Sequence, residues 1–499
     1  MDCKVDVWMV VVVSTTQQRY RYTLTMHKLN EYKNNTNQES RIAWMLILAF
    51  IFFQILILTI GFSRYSMQIM PMSAILLGIY LYFKNPEMYI GFTFWMHFIS
   101  PEIQRFIDFK INSINHGYLT FTANSVTLIS AFTLIQYSTK IPYQKLSPFL
   151  FTLSASVYSL FISLIKSPPQ DLILIEQFSA LVGPILFGLH IYLHWKRYPT
   201  FKSVTENTIL WGSLVLGIYG VLQFVFAPGW DTHWLRSVEK WSYGLPEAFA
   251  IRIWSGTTDF QTFATTVLIG LMILLYRFDW PLRIPTLSLA GLGLLLSQAR
   301  AAWLCFLITL TIFLFRTKIR IKFRILAIIL LLIITTSVLI LTNDILYEKV
   351  ASRLLSLFLY EDDISVNIRQ ELYNTYFDSA ISQFIGVGLA GSLDLGDFNI
   401  VDAPIFIYLF YFGWIGIIPY VVGLLALVLK LCRSSPKDYL SLFSQAFVIG
   451  TMSIIAFNNV LMATLGFYFW SFLTLGLASQ KYFQMAETAT SPHRRLEAM

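Results

Sequence analysis

Fourteen apolar runs alternate with polar stretches along the chain, at about 43–61, 67–83, 87–100, 118–137, 147–165, 172–195, 207–227, 260–276, 284–299, 301–315, 324–342, 404–429, 440–457 and 461–479. Most come near the roughly 20 residues with which an α-helix crosses a hydrocarbon core of about 30 Å. The connections are short except for two, roughly 228–259 and 343–403. The pattern predicts an all-α fold, a polytopic transmembrane bundle of about 14 helices (12 to 14) with one large, partly helical loop. It divides the chain into a polar tail at 1–42, N-terminal membrane helices at 43–204, a membrane core at 205–480 that includes both long loops, and a tail at 481–499. An even number of crossings puts both termini on one side.

Composition agrees with the pattern. Of 499 residues, 56% are hydrophobic and 13% charged, against roughly 25% charged in soluble domains. In a chain of this kind the formal charge of +8 matters by where it lies, and it points to a bilayer and to no nucleic acid. With the N-terminus inside, 25 of the 36 lysines and arginines fall on the inner side, and RTKIRIKFR at 316–324 is the densest group. By the positive-inside rule both termini are therefore cytoplasmic and the two long loops face outward. The three cysteines, Cys3, Cys305 and Cys432, have neither disulfide nor metal spacing.

One charge falls where the pattern does not want it. In LLLSQARAAWL, 294–304, Arg300 interrupts an otherwise apolar stretch. The run from 301 to 315 spans only about 22 Å at 1.5 Å per residue. With Arg316 at the cytoplasmic boundary, Arg300 stops below the outer surface, in a cavity open to the outside. Charges at such depth are costly and face water, a ligand or a partner. Two readings stand: Arg300 snorkels or pairs with a carboxylate, or it grips an anion with its planar fork.

SQARAAWL resembles the serine-arginine signature of the O-antigen ligase and polymerase family. Ala299 precedes the arginine here, and Ser297 lies two residues earlier. SVNIRQELYNTYFDSAISQFIGVGLAGS, 365–392, is similar to that family's arginine, amphipathic helix and glycine turn, the turn being Gly386, Gly388 and Gly391. VDAPIFIYLFYFGWIGIIPY, 401–420, resembles the return into the membrane with its Gly413-Trp414-Ile415-Gly416 step, and IRIWSGTTDFQTFA, 251–264, resembles an arginine before a helix start. The resemblance spans roughly 205–480. It implies an inner-membrane glycosyltransferase that transfers or polymerises glycan from an undecaprenyl-diphosphate carrier at the periplasmic face. Its place would be O-antigen or exopolysaccharide synthesis. It also implies no metal, no nucleotide sugar and no other cofactor. The partners implied are the lipid-linked glycan, a glycan acceptor, the bilayer and polysaccharide-assembly proteins.

Such chemistry needs cations for the diphosphate leaving group. Arg252, Arg300 and Arg369 are the candidates, with Ser297 beside the second. Arg252 reads equally as an interfacial anchor, and Arg369 as a partner of Asp362 or Asp363. EDD at 361–363 reads as an exposed loop and not as a metal site. Family ligases carry a histidine near the return helix, where this chain has Asp402-Ala403-Pro404, so the pattern leans toward a polymerase. Asp402 is a candidate base and also a candidate helix cap. His233 is another outer-face base or a packed loop residue. Trp230, Trp234, Trp241, Tyr243 and Trp254 suit sugar stacking and an interfacial belt alike. The glycine turn either lets backbone N–H groups approach phosphate or sugar, or bends a loop helix back to the membrane. Glu176, inside an apolar run, supports the competing reading, a lipid-linked oligosaccharide flippase or other transporter.

Overall fold

The structure, a computed structural model, describes residues 41–61, 63–112, 120–166, 171–238, 241–342, 364–389 and 404–490. Asp402, Gly391, the EDD triplet and the tail segments 1–40 and 491–499 lie outside the described residues. The helices are α1 Arg41–Ile60, α2 Ser63–Lys84, α3 Pro86–Ile111, α4 Phe121–Leu128, α5 Ala131–Tyr137, α6 Tyr143–Lys166 and α7 Asp171–Leu193. They continue with α8 Tyr198–Phe226, α9 Gly229–Val238, α10 Phe260–Tyr276, α11 Arg283–Leu296, α12 Arg300–Arg316 and α13 Ile319–Leu341. The last four are α14 Ile364–Ile381, α15 Pro404–Arg433, α16 Tyr439–Ser453 and α17 Ala463–Thr490. Among the described residues each apolar run is largely helical, and six helices are long and apolar enough on their own to cross a membrane. The chain is an all-α membrane bundle.

Two elements depart from the sequence pattern. The run 118–137 is broken into α4 and α5. At the break Ser130 Oγ donates to the Thr127 carbonyl at 2.7 Å, and Ser130 N bonds the same carbonyl at 3.2 Å in a tighter i→i+3 turn. A hydroxyl competing for a backbone carbonyl interrupts the regular ladder. In the other departure, α3 does not stop near residue 100. It continues through Pro101 to Ile111 and closes on Asn112 in the left-handed conformation (φ 48°).

The centre of the bundle is α17, which packs on α7 and α16, while α8 packs on α3, α10 and α11. A second pair, α6 with α15, lies alongside. The two ends of the bundle differ. One end carries ion pairs between short connections: Arg197–Glu87, Lys202–Asp438, Arg277–Glu206 and Lys437–Glu487. The opposite end gathers the chain between α8 and α10, the α11–α12 turn, α14 and the segment 382–389. This is the loop end, and the described candidate residues lie there.

Candidate active site

The α11–α12 hairpin turns in three residues, Ser297, Gln298 and Ala299. Gln298 takes a positive φ of 52° to make the reversal. Ser297 Oγ donates to the Leu294 carbonyl at 2.7 Å, and the Trp303 indole N–H donates to the same carbonyl at 2.8 Å. Arg300 is therefore the first residue of α12. It is half-buried, and no side chain caps the helix. An uncapped N-terminus presents backbone N–H groups and a partial positive charge. A guanidinium on its first residue makes this the most electropositive kind of helix end.

Arg252 holds that turn. Its Nε donates to the Ser297 carbonyl at 3.1 Å and its Nη2 to the Gln298 carbonyl at 2.8 Å. Its Nη1 donates to the Ser242 carbonyl at 2.5 Å, and the guanidinium lies 3.6 Å from the Phe260 ring centroid. Arg252 is 7% exposed. The structure thus brings Arg252, Ser297 and Arg300 together, with Arg252 bound to the backbone two and three residues before Arg300. The hairpin also faces α16: a Cβ on Gly450 would lie 3.0 Å from the Cys305 carbonyl. Beyond α16, the Ala456 carbonyl accepts a hydrogen bond from Tyr373 of α14 at 3.2 Å. Arg369 belongs to α14, one helical turn before Tyr373.

Gly386 and Gly388 approach protein backbone. Helix α15 is broken at Gly413, whose φ of 57° and ψ of −175° are non-helical. A break inside apolar surroundings frees backbone groups that must find partners. The segment 383–387 supplies them. Trp414 N donates to the Gln383 carbonyl at 3.0 Å, Ile415 N to the Phe384 carbonyl at 3.2 Å, and Val387 N to the Phe410 carbonyl at 2.7 Å. From α6, Ser159 Oγ donates to the Tyr411 carbonyl at 2.8 Å, Tyr158 to the Ile385 carbonyl at 2.9 Å, and Lys166 Nζ to the Gly386 carbonyl at 2.7 Å. Both glycines have left-handed φ, +84° and +85°. A Cβ on Gly388 would meet Ser163 N at 2.5 Å. Of the two readings of the turn, its geometry is that of a plug that returns the loop helix to the membrane.

The aromatic loop is a core. Trp234, Tyr243 and Trp254 are buried and pack on one another at 5.2–5.5 Å. The expectation of a membrane belt or sugar platform is corrected for these three, because the loop folds inward around them. Trp230 is half-buried. Its indole N–H lies 2.6 Å from Glu102 Oε1 and 2.8 Å from the Tyr219 hydroxyl. His233 packs edge-on against Phe109. Thr120 Oγ1 donates to Glu176 at 2.6 Å, where α7 meets the loop end.

Under the aromatic core lies a charge network that the sequence pattern did not reveal. Arg105 is wholly buried. Its Nη1 and Nη2 donate to the Thr257 and Ser255 carbonyls at 2.9 and 2.7 Å, tying α3 to the chain that enters α10. It bridges Glu102 at 2.5 Å and approaches Asp231 at 3.3 Å, with Trp234 and Trp254 over its guanidinium. The Tyr219 hydroxyl contacts both Glu102 and Asp231. One hydroxyl proton cannot serve two carboxylates, so one of the two carboxyls carries a proton of its own. Burial, and then the neighbouring Glu102 carboxylate, push Asp231 up to about 7 against the pull of Arg105. The network is then close to neutral, which removes much of the cost of burying it. The available signal was Arg105 between Glu102 and Asp108, which reads as a loop once the third helix is cut at residue 100.

A raised folded value means that protonation of Asp231 favours the folded state. That contribution is full below the ordinary carboxylate value and is lost as pH rises toward 7. Thermal unfolding midpoints followed from pH 7.5 down to 5.5 are expected to rise for the native chain relative to Asp231→Asn, whose curve is flatter in that window. A parallel pair of curves would remove the protonated carboxyl from this account.

The family comparison falls on the hairpin and the plug. Residues 285–421 match the O-antigen ligase family model. Searches of curated proteins and of solved structures return no match. The matched stretch runs from the start of α11 through Ser297, Arg300, α14 and Gly386 to just beyond the Gly413 break, and is narrower than the 205–480 of the sequence resemblance. Arg252 and the Arg105 network lie before it. Residues 285–421 of the chain thus match the O-antigen ligase family, and the match supports glycan ligation or polymerisation at a membrane in general.

Proposed function

We propose that the protein is a glycosyltransferase that transfers or polymerises glycan from an undecaprenyl-diphosphate carrier on the periplasmic side. The observation that carries this reading is Arg300 on the uncapped first turn of α12, directly after a turn that Arg252 binds through two carbonyls. A guanidinium with helix N-terminal amides suits a diphosphate, because it offers several N–H donors to several anionic oxygens. Arg300 is the group that contacts the leaving diphosphate. Arg252 positions it, since its Nε and Nη2 donate to the backbone of the turn.

In this reaction a base takes the proton of the acceptor hydroxyl, whose oxygen attacks the anomeric carbon. The glycosidic C–O bond to the diphosphate breaks, and the electron pair leaves on the carrier. Arg300, together with Arg369 from α14, neutralises the charge that develops there. Asp402, just before α15, is the proposed base, with His233 in α9 as the alternative. The reading requires no metal. Extension of a glycan on a second carrier and transfer to lipid A-core share this donor chemistry and differ in the acceptor; the lack of a histidine at 402–404 favours extension.

The test is purified protein in liposomes with a defined undecaprenyl-diphosphate oligosaccharide, with and without chelator. Longer glycans in both conditions are expected. No elongation and no transfer with any acceptor, or elongation abolished by chelator, would defeat the proposal. Movement of the lipid-linked substrate between leaflets without change in glycan length would favour a flippase instead.

A further inference from the structure

The other end of the bundle carries a cationic cluster that glycan transfer does not use. Lys145 is in the first turn of α6, Lys196 in a short 3-10 helix Trp195–Arg197 after α7, Lys430 in the last turn of α15, and Lys481 on α17 beyond its apolar stretch. Lys430, Lys145 and Lys196 are all close enough to Lys481 to act on its charge. Two aromatic rings lie among them. Lys481 Nζ is 5.4 Å from the Tyr192 ring and 4.9 Å from the Trp195 ring, Lys430 Nζ is 5.2 Å from Tyr192, and Lys196 Nζ is 5.9 Å from Trp195. Lys430 also donates to the Tyr192 hydroxyl at 2.9 Å.

Among the described residues, four acids of this end are engaged elsewhere. Glu87, Asp438, Glu206 and Glu487 pair with Arg197, Lys202, Arg277 and Lys437. Among the described residues, none of the four clustered lysines lies within ion-pair distance of a carboxylate. The positive-inside rule accounts for lysines at this end. It does not account for three of them, from three separate elements, converging on two rings with Lys145 of a fourth element close by, since like charges repel and would otherwise spread. An anion at the centre resolves the repulsion. The location selects its source: tyrosine and tryptophan favour headgroup depth, and the outer surfaces of α6 and α15 below the lysines expose Leu150, Leu425 and Leu429. We propose that Lys145, Lys196, Lys430 and Lys481 form a binding site for the phosphate of an anionic phospholipid headgroup, with the acyl chains against α6 and α15. Basic pockets between membrane helices on the cytoplasmic side suit such headgroups.

The experiment uses the full chain in nanodiscs or mixed micelles containing phosphatidylglycerol or cardiolipin, with phosphatidylcholine and inorganic phosphate as comparisons. Retained lipid is read by native mass spectrometry, and the unfolding midpoint by thermal scan. Anionic lipid is expected to be retained and to raise the midpoint, whereas phosphatidylcholine does neither. Apparent affinity should fall about fivefold for each lysine removed, in Lys196→Gln alone and further in Lys430→Gln with Lys481→Gln. Lys318→Gln with Lys322→Gln, which removes equal charge from the same end, should leave binding unchanged. Lys196 is exposed, so its single variant remains informative where the double variant does not fold. Equal retention of both lipid classes, or equal loss in the Lys318/Lys322 control, overturns the site. A midpoint shift from inorganic phosphate as large as that from lipid overturns the lipid assignment and leaves a soluble anion as the ligand.

Discussion

Arg300→Lys is expected to lower the rate of glycan transfer by about 10²–10³-fold, the usual effect of removing one preorganised donor to a developing charge. The substitution keeps the positive charge and the helix N-terminus. What it removes is the planar fork, so a large loss would show that geometry and not merely sign is required. The native residue is half-buried at the first position of α12, and the three-residue turn is held by Arg252 and by Ser297. Membrane yield and thermal stability should therefore be close to native. The measurement is elongation of labelled lipid-linked glycan in liposomes at matched protein level. Native-like rates in this variant would remove the diphosphate contact from Arg300, and with it the mechanism proposed above.

Gly386→Ala is expected to cost the fold, with membrane yield falling sharply and the unfolding midpoint dropping well below native. A Cβ there would lie 2.6 Å from Gly413 N and 2.8 Å from the Phe412 carbonyl carbon, both backbone atoms that have no flexible way to retreat. The left-handed φ of +84° adds about 1–2 kcal/mol for any residue with a side chain. Moving the segment away is worse. The Trp414 and Ile415 N–H groups and the Phe410 carbonyl would lose their partners at a broken helix, and each unsatisfied group in apolar surroundings costs several kcal/mol. Gly291→Ala is the control: it lies in α11, and nothing is within 4 Å of the added carbon. It should be neutral or slightly stabilising, because alanine is the better helix former. Equal behaviour of the two variants would mean that 383–387 does not plug the break in α15.

The two variants separate the parts of one region. Arg300 is argued from chemistry and should be silent in stability. Gly386 is argued from packing and should be lost before chemistry is measured. Both fall within residues 285–421, so the family match covers a catalytic candidate and the scaffold that returns the chain to the membrane.

Helix content was legible because it is local: a run of about 20 apolar residues decides for a helix in a bilayer whatever its neighbours do. The same locality made Arg300 conspicuous, as a charge in an apolar run needs no partner to be noticed. The break at Gly413 was not legible: 404–429 reads as one continuous apolar run. Contacts between distant parts of the chain were not legible. Arg105 reaches carbonyls 150 and 152 residues away, and nothing near residue 105 names them. Trp234 and Trp254 read as surface aromatics because composition cannot say which way a loop folds. Arg252 read as a diphosphate-binding cation or an interfacial anchor, since a guanidinium bonded to carbonyls leaves no trace in a sequence when those carbonyls are backbone. Sequence alone determined which segments are apolar helices and which charge interrupts them. Only the tertiary structure decided that Arg252 binds the turn ahead of Arg300, because side-chain hydrogen bonds to backbone depend on where the chain passes and not on which residues it carries.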